Sequence, residues 1–228
     1  MRETVLCIKA YSNPGSVIAS IRTTIGNELK DLDVLFDLSI TKNKWVQVNI
    51  EGDDEEFAAN FLINKYGSPT TEPQVGTHYR GYIISINDKG IAVDIGITLL
   101  IPTESLKPLG AGDSHQIASR FGMIPHIPVL VEIVEHGDKT LVRFTKKQID
   151  LWWDWKRSGT DRVIVNSVTR SKLKVAIKKT GHGKDIYGID RLGVMENAII
   201  CREGTDGPGI VAHIGPLLKS DIGVIIGS

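Results

Sequence analysis

Apolar residues in this chain fall into short runs with two different periods. In residues 1–73, TVLCIKAY, DVLFDLSI and WVQVNI read as strands. SVIASIRTTIGNELKDL instead spaces Val17, Ile21, Ile25 and Leu29 by four, the signature of one helical face. Asn13-Pro14-Gly15 predicts the turn into that helix, and Thr41-Lys42-Asn43-Lys44 a polar hairpin loop. GDDEEFAANFLINKYG reads as a second helix, with acids crowding its first turn and Gly67 as its stop. The order β-α-β-β-α predicts a split α/β sandwich. Residues 68–73, SPTTEP, form a polar, proline-bearing connector that marks a domain boundary.

Residues 74–147 change the pattern. GTHYRGYIISINDKGIAVDIGITLLIPTESL and VLVEIVEHGDKTLVRFTKK alternate short apolar runs with Gly and Asn-Asp turns, which predicts a small closed β-barrel. A five-stranded barrel of this kind is commonly a nucleic-acid platform. Between its strands, 107–128 reads as an insertion whose DSHQIASRFG forms one short helix, capped by Asp113 or Ser114 and ended by Gly122. Residues 148–228 complete the chain. KKQIDLWWDWKRSG reads as a linking helix, RVIVNSV as a strand and TRSKLKVAIKK as a helix with Leu173, Ala176 and Ile177 on one side. DIYGIDRL and NAIICREG are strands, GPGIVAHIGPLL a helix with Pro208 near its first turn, and DIGVIIG a final strand. This β-α-β-β-α-β order predicts a ferredoxin-like domain. The expected fold is thus α+β: a central barrel between two α/β domains, at 1–73, 74–147 and 148–228.

Composition changes the picture little. With 27 basic and 27 acidic residues, net charge alone names no partner. No apolar run approaches the roughly 20 residues that span a bilayer, so no membrane role is expected. Cys7 and Cys201 each lie in an apolar run, which predicts buried reduced thiols and a cytoplasmic location. The distribution of charge says more. Residues 1–73 hold 7 Lys/Arg against 11 Asp/Glu, whereas 148–228 hold 12 against 9. Lys156–Lys184 alone carries nine basic residues and one acid, Asp161.

Through Gly76, Tyr79, Gly81, the Gly90-Ile91-Ala92-Val93 turn, LLIPTESL and VRFTKK, the central block resembles an S1-type OB-fold RNA-binding domain. The resemblance implies that Tyr79 stacks a base. Ala92 stands where that family has a second aromatic, and Pro102 where it has a histidine. Base–aromatic stacking is worth about 1–3 kcal/mol per base, so the barrel alone is expected either to bind RNA weakly or to serve as a structural spacer. Through TGHGKDIYGIDRLG and GTDGPGIVAHIG the whole chain also resembles an archaeal family of unknown function that carries this barrel centrally.

Several segments carry candidate chemistry. On the helix from Thr169 to Lys179, Arg170, Lys174 and Lys178 form one stripe, and Lys172 and Lys179 a second, with no acid in either. A polyanion would supply the missing counter-charge; the alternative is a lysine-rich outer face. In TGHGKD, Gly181 and Gly183 permit a tight turn at which His182 and Lys184 meet a phosphate, or Gly181 simply caps the helix. In GTDGPGIVAHIG, a free helix N-terminus behind Gly204, Asp206 and Gly207 would attract an anion. That segment also looks like the Pro-Gly helix start of ACT domains, which bind amino acids. The alternative is a turn capped by Asp206. Trp152 and Trp155 share a helix face, while Trp153 points away and is the one expected at the surface. Such aromatics beside Lys156 and Arg157 suit single-stranded RNA or packing between domains. The six histidines and two cysteines show no metal-ligand spacing, no motif names a reaction, and no cofactor is expected.

The expectation is a non-catalytic, cytoplasmic RNA-binding protein. Tyr79, Arg80, Lys172, Lys174, Lys178, Lys179 and Lys184 would form its binding face, and the acidic N-terminal domain would point away from RNA or dock a protein. The competing expectations are a small-ligand sensor at Gly204–Gly209 and a protein-interaction scaffold.

Overall fold

Among the described residues, three sheets and six α-helices form a mixed α+β architecture. The computed structural model describes residues 1–11, 14–135 and 140–228; the turn expected at Asn13, and His136, lie outside them. The chain divides into two units, Met1–Thr70 and Thr71–Ser228.

The first unit has the β-α-β-β-α order expected from its pattern. Strand β1 (Arg2–Lys9), helix α1 (Pro14–Glu28), β2 (Leu35–Ile40), β3 (Trp45–Glu51) and α2 (Glu55–Tyr66) follow in turn. The antiparallel sheet runs β1-β3-β2. Val17, Ile21, Ile25 and Leu29, the stripe read from spacing, are all buried. Each such side chain contributes roughly 1.5–3 kcal/mol by leaving water. Gly67, at φ 78°, ends α2 with its N–H on the Ile63 carbonyl.

The second unit begins with β4 (His78–Asn87), β5 (Gly90–Asp94) and β6 (Thr98–Pro102). A 3₁₀ segment (Thr103–Leu109) and α3 (Ser114–Arg120) precede β7 (Pro128–Glu135) and β8 (Leu141–Phe144). Helix α3 carries a full capping box between Asp113 and Gln116, as its sequence suggests. Gly90 is required where it stands: at φ 143°, a Cβ there would lie 2.0 Å from the Ile101 carbonyl oxygen. The strand order is β6-β5-β4-β7-β8. Among the described residues the closed barrel expected from the pattern does not form. Edge strands β6 and β8 approach within 8 Å, Cα to Cα, yet no ladder joins them among the described residues. With β8 only four residues long, few backbone groups are available to close the ring.

Helix α4 (Lys146–Lys156) leads into β9 (Arg162–Val165), α5 (Arg170–Lys179), β10 (Ile186–Arg191), β11 (Asn197–Cys201), α6 (Gly207–Leu218) and β12 (Ile222–Ile225). The expected β-α-β-β-α-β order is present, in an antiparallel sheet ordered β10-β11-β9-β12. Its two faces are used differently, because strand side chains alternate. Val163, Val165, Ile199 and Cys201 pack in one core with Leu173, Ile177, Ile210 and Ile214 of α5 and α6. Ile164, Ala198 and Ile225 join the core of the five-stranded sheet instead. Both faces are covered, which explains why β9 and β11 read as unbroken apolar runs. Trp152 anchors the joint, 2% exposed and edge-on to Phe144 at 4.8 Å. Trp153, expected at the surface, is half-buried. Its indole N–H donates to the Pro108 carbonyl at 3.0 Å, and its ring meets Phe121.

Candidate anion-binding groove

Helix α5 is amphipathic in charge as well as in hydropathy. Thr169 caps it by accepting from the Lys172 N–H at 3.1 Å, and Leu173, Ala176 and Ile177 face the core. That anchoring turns Arg170, Lys174 and Lys178 outward along one edge, successive cations about 6 Å apart along the axis. Gly181, at φ 81°, stops the helix in the left-handed conformation, and the single 3₁₀ turn His182–Lys184 swings the chain into β10.

The result is an open groove of about 590 Å³ between α5, this turn and β10. Arg170, Lys174, Lys178 and Lys184 surround it, over Ile177, Ile189 and the backbone of Gly181, Gly183 and Gly188. Among the described residues no carboxylate lines it. Among the described residues, none of Lys172, Lys174, Lys178, Lys179 and Lys184 forms an ion pair. The Arg170 Nε is buried with no hydrogen-bond partner. Like charges lining one groove repel one another and give it a positive potential.

The other residues singled out by sequence are dispersed. Lys172 and Lys179 are exposed but lie off the groove lining. Tyr79 is half-buried against the central core, and its hydroxyl oxygen accepts from the Gln74 N–H at 2.8 Å. Arg80 donates through Nη2 to the Leu192 carbonyl at 2.8 Å, tying β4 to the end of β10. The N-terminus of α6 is occupied from within. Asp161 Oδ2 accepts from the Gly207 N–H at 2.9 Å, and its Oδ1 from the Gly227 N–H at 3.0 Å. Asp206 holds the cap position without a side-chain capping bond, so the cap expected from Asp206 comes from Asp161. Gly204 is a left-handed turn residue at φ 74°.

His182 faces away from the groove lining. Its Nδ1 meets Asp185 Oδ2 at 2.8 Å and its Nε2 meets His213 Nδ1 at 2.8 Å. The rings are 18° from parallel with centroids 5.0 Å apart. So short an N···N bond at that separation means rings meeting edge to edge rather than face to face. Sequence spacing gave no sign of this pair, 31 residues apart. The exposed Tyr187 was likewise missed. It lies between two groove residues, Ile186 and Gly188, with the Arg202 guanidinium 5.0 Å from its ring. Arg170 was legible as part of the cationic stripe. Among the described residues no cluster of three or more His, Cys, Asp or Glu could hold a metal ion. Burial, and then the Asp161 carboxylate, pushes the Cys201 thiol up to about 11, so it is not a thiolate at neutral pH. Cys7 is also buried and in no disulfide among the described residues. Among the described residues no helix is long and apolar enough to cross a membrane.

Fold and groove together define a mixed α+β protein with an open, acid-free cationic surface on its second unit. The chain belongs to the DUF2110 family, a three-domain family of unknown function. The DUF2110 N-terminal domain matches residues 3–72, the central domain 73–156 and the C-terminal domain 160–226. No curated protein matches the chain.

Proposed function

We propose that this is a non-catalytic RNA-binding protein whose phosphate contacts come from the groove beside α5. The observation that carries this reading is the convergence of Arg170, Lys174, Lys178 and Lys184 on one groove that no carboxylate lines. The five-stranded sheet is read as an S1-like OB fold. Its strand order and the approach of its two edges support that reading, since an OB sheet is a partly open five-stranded barrel. The β-α-β-β-α-β block is read as ferredoxin-like, with the antiparallel order β10-β11-β9-β12 in support. Tyr79 is half-covered and its hydroxyl engaged, so the stacking role passes to Tyr187, which is 57% exposed. The acidic first unit is left for a protein partner, and the reduced, buried Cys7 and Cys201 fit a cytoplasmic setting.

Filter binding of single-stranded and structured RNA across a salt series tests this function. Affinity is expected to fall steeply with salt. In the Lys174→Ala, Lys178→Ala, Lys184→Ala triple variant, the log–log slope should be shallower by roughly 2 to 3. Binding that barely changes with salt, or a triple variant indistinguishable from wild type, would overturn the assignment.

A further inference from the structure

The groove beside α5 has a second component, separate from its charge: one wall is a strand with a free edge. β10 is the outermost strand of its sheet and is paired with β11 alone. Where the two strands join, the Leu192 N–H donates to the Glu196 backbone carbonyl at 2.9 Å. Antiparallel ladder bonds recur at every second residue, so Asp190 and Gly188 also turn their backbone groups toward β11. Ile189 therefore points its N–H and C=O out of the sheet. Among the described residues no protein group bonds to them.

The groove thus offers two kinds of surface. Lys174, Lys178 and Lys184 are exposed, whereas Ile177 and Ile189 are only 3% and 7% exposed, so charge forms the rim and apolar surface the floor. Paired RNA could use the rim alone. Its phosphates lie outside, while its bases are stacked and paired, out of reach of a floor and a strand edge. An unpaired strand can use both. Its phosphates meet the cations, and a splayed base lies on Ile177 and Ile189 with its polar edge against the Ile189 backbone. Tyr187, 57% exposed on the same strand, presents its ring to the next base.

We infer that the groove selects an unpaired segment of RNA and holds one of its bases against the free edge of β10. The inference rests on the RNA-binding reading above and names the class of RNA.

Fluorescence anisotropy of the full-length protein tests it with three labelled probes: an unstructured RNA of about twelve nucleotides, the same strand annealed to its complement, and an oligoglutamate of matched charge. The unpaired strand should bind at least about tenfold tighter than the duplex, although the duplex carries about twice the charge. Tyr187→Ala should weaken the unpaired strand about tenfold and leave the duplex unchanged, and Tyr187→Phe should restore it. Amide hydrogen exchange at Ile189 should slow with the unpaired strand bound and not with the duplex. Salt-sensitive binding of both RNAs with equal affinity, or unchanged exchange at Ile189, would overturn this inference and leave the RNA-binding reading standing. Oligoglutamate binding tighter than the unpaired strand would assign the edge to an acidic peptide and overturn it as well. Absent or salt-insensitive RNA binding would overturn both.

Discussion

The two glycine-bearing turns of the second unit have opposite outcomes. Both Gly181–Lys184 and Gly204–Gly207 read as places where an anion could dock on exposed backbone. At Gly207 the chain supplies the anion itself: Asp161 occupies the N-terminus of α6 and also holds the Gly227 N–H. At Gly181 the nearby carboxylate, Asp185, is engaged by His182, and the four cations beside the turn keep no acid in their groove. A site of attraction stays open only where the fold fails to provide its own counter-charge.

The largest test of that rule concerns a carboxyl poorly supplied with partners. Glu196 accepts a long 3.3 Å bond from the Met195 N–H, and burial lifts it from its ordinary 4.5 to about 8. The folded state therefore holds a proton that the unfolded state has lost between those two values. Stability should fall as pH rises from about 4.5 to about 8, by on the order of 5 kcal/mol, and level off above. Glu196→Gln cannot titrate, so denaturant unfolding of both proteins across pH isolates the effect. A difference between them that stays flat across the window would mean the carboxyl is solvated.

Asp161→Ala comes next. It strips the acceptor from two backbone N–H groups at once, and unfolding free energy should drop by about 2–3 kcal/mol. The triple lysine-to-alanine variant, which removes no partnered group, should change it by less than about 0.5 kcal/mol. Comparable losses in the two variants would erase the contrast between a filled and an open turn. His213→Ala should have the smallest effect. Loss of the His182 bond is expected to cost about 0.5–1.5 kcal/mol and to raise amide hydrogen exchange at 181–185. Unchanged exchange there would show that Asp185 alone holds the turn.

Local pattern carried most of the fold. The α1 face, the Asp113 cap, the left-handed stop at Gly181 and the proline in the first turn of α6 all follow from interactions within a few residues. The site was only half legible. Arg170, Lys174 and Lys178 share a helix edge because 3.6 residues make a turn, and sequence alone places them there. Arg80 and Tyr79 sit next to each other on a strand that sequence identifies, yet one turns to Leu192 and the other to Gln74. Neither partner is visible from composition or period.

Sequence by itself determined the strands, the helices, their order and the charge contrast between the ends of the chain, since these depend on neighbours in the chain. Tertiary structure alone decided that the five-stranded sheet stays open, that Asp161 fills the α6 terminus, and that His182 meets His213. The last two join groups 31 or more residues apart. Which distant groups meet depends on how whole faces pack, because buried polar atoms must find partners wherever the sheets and helices bring them.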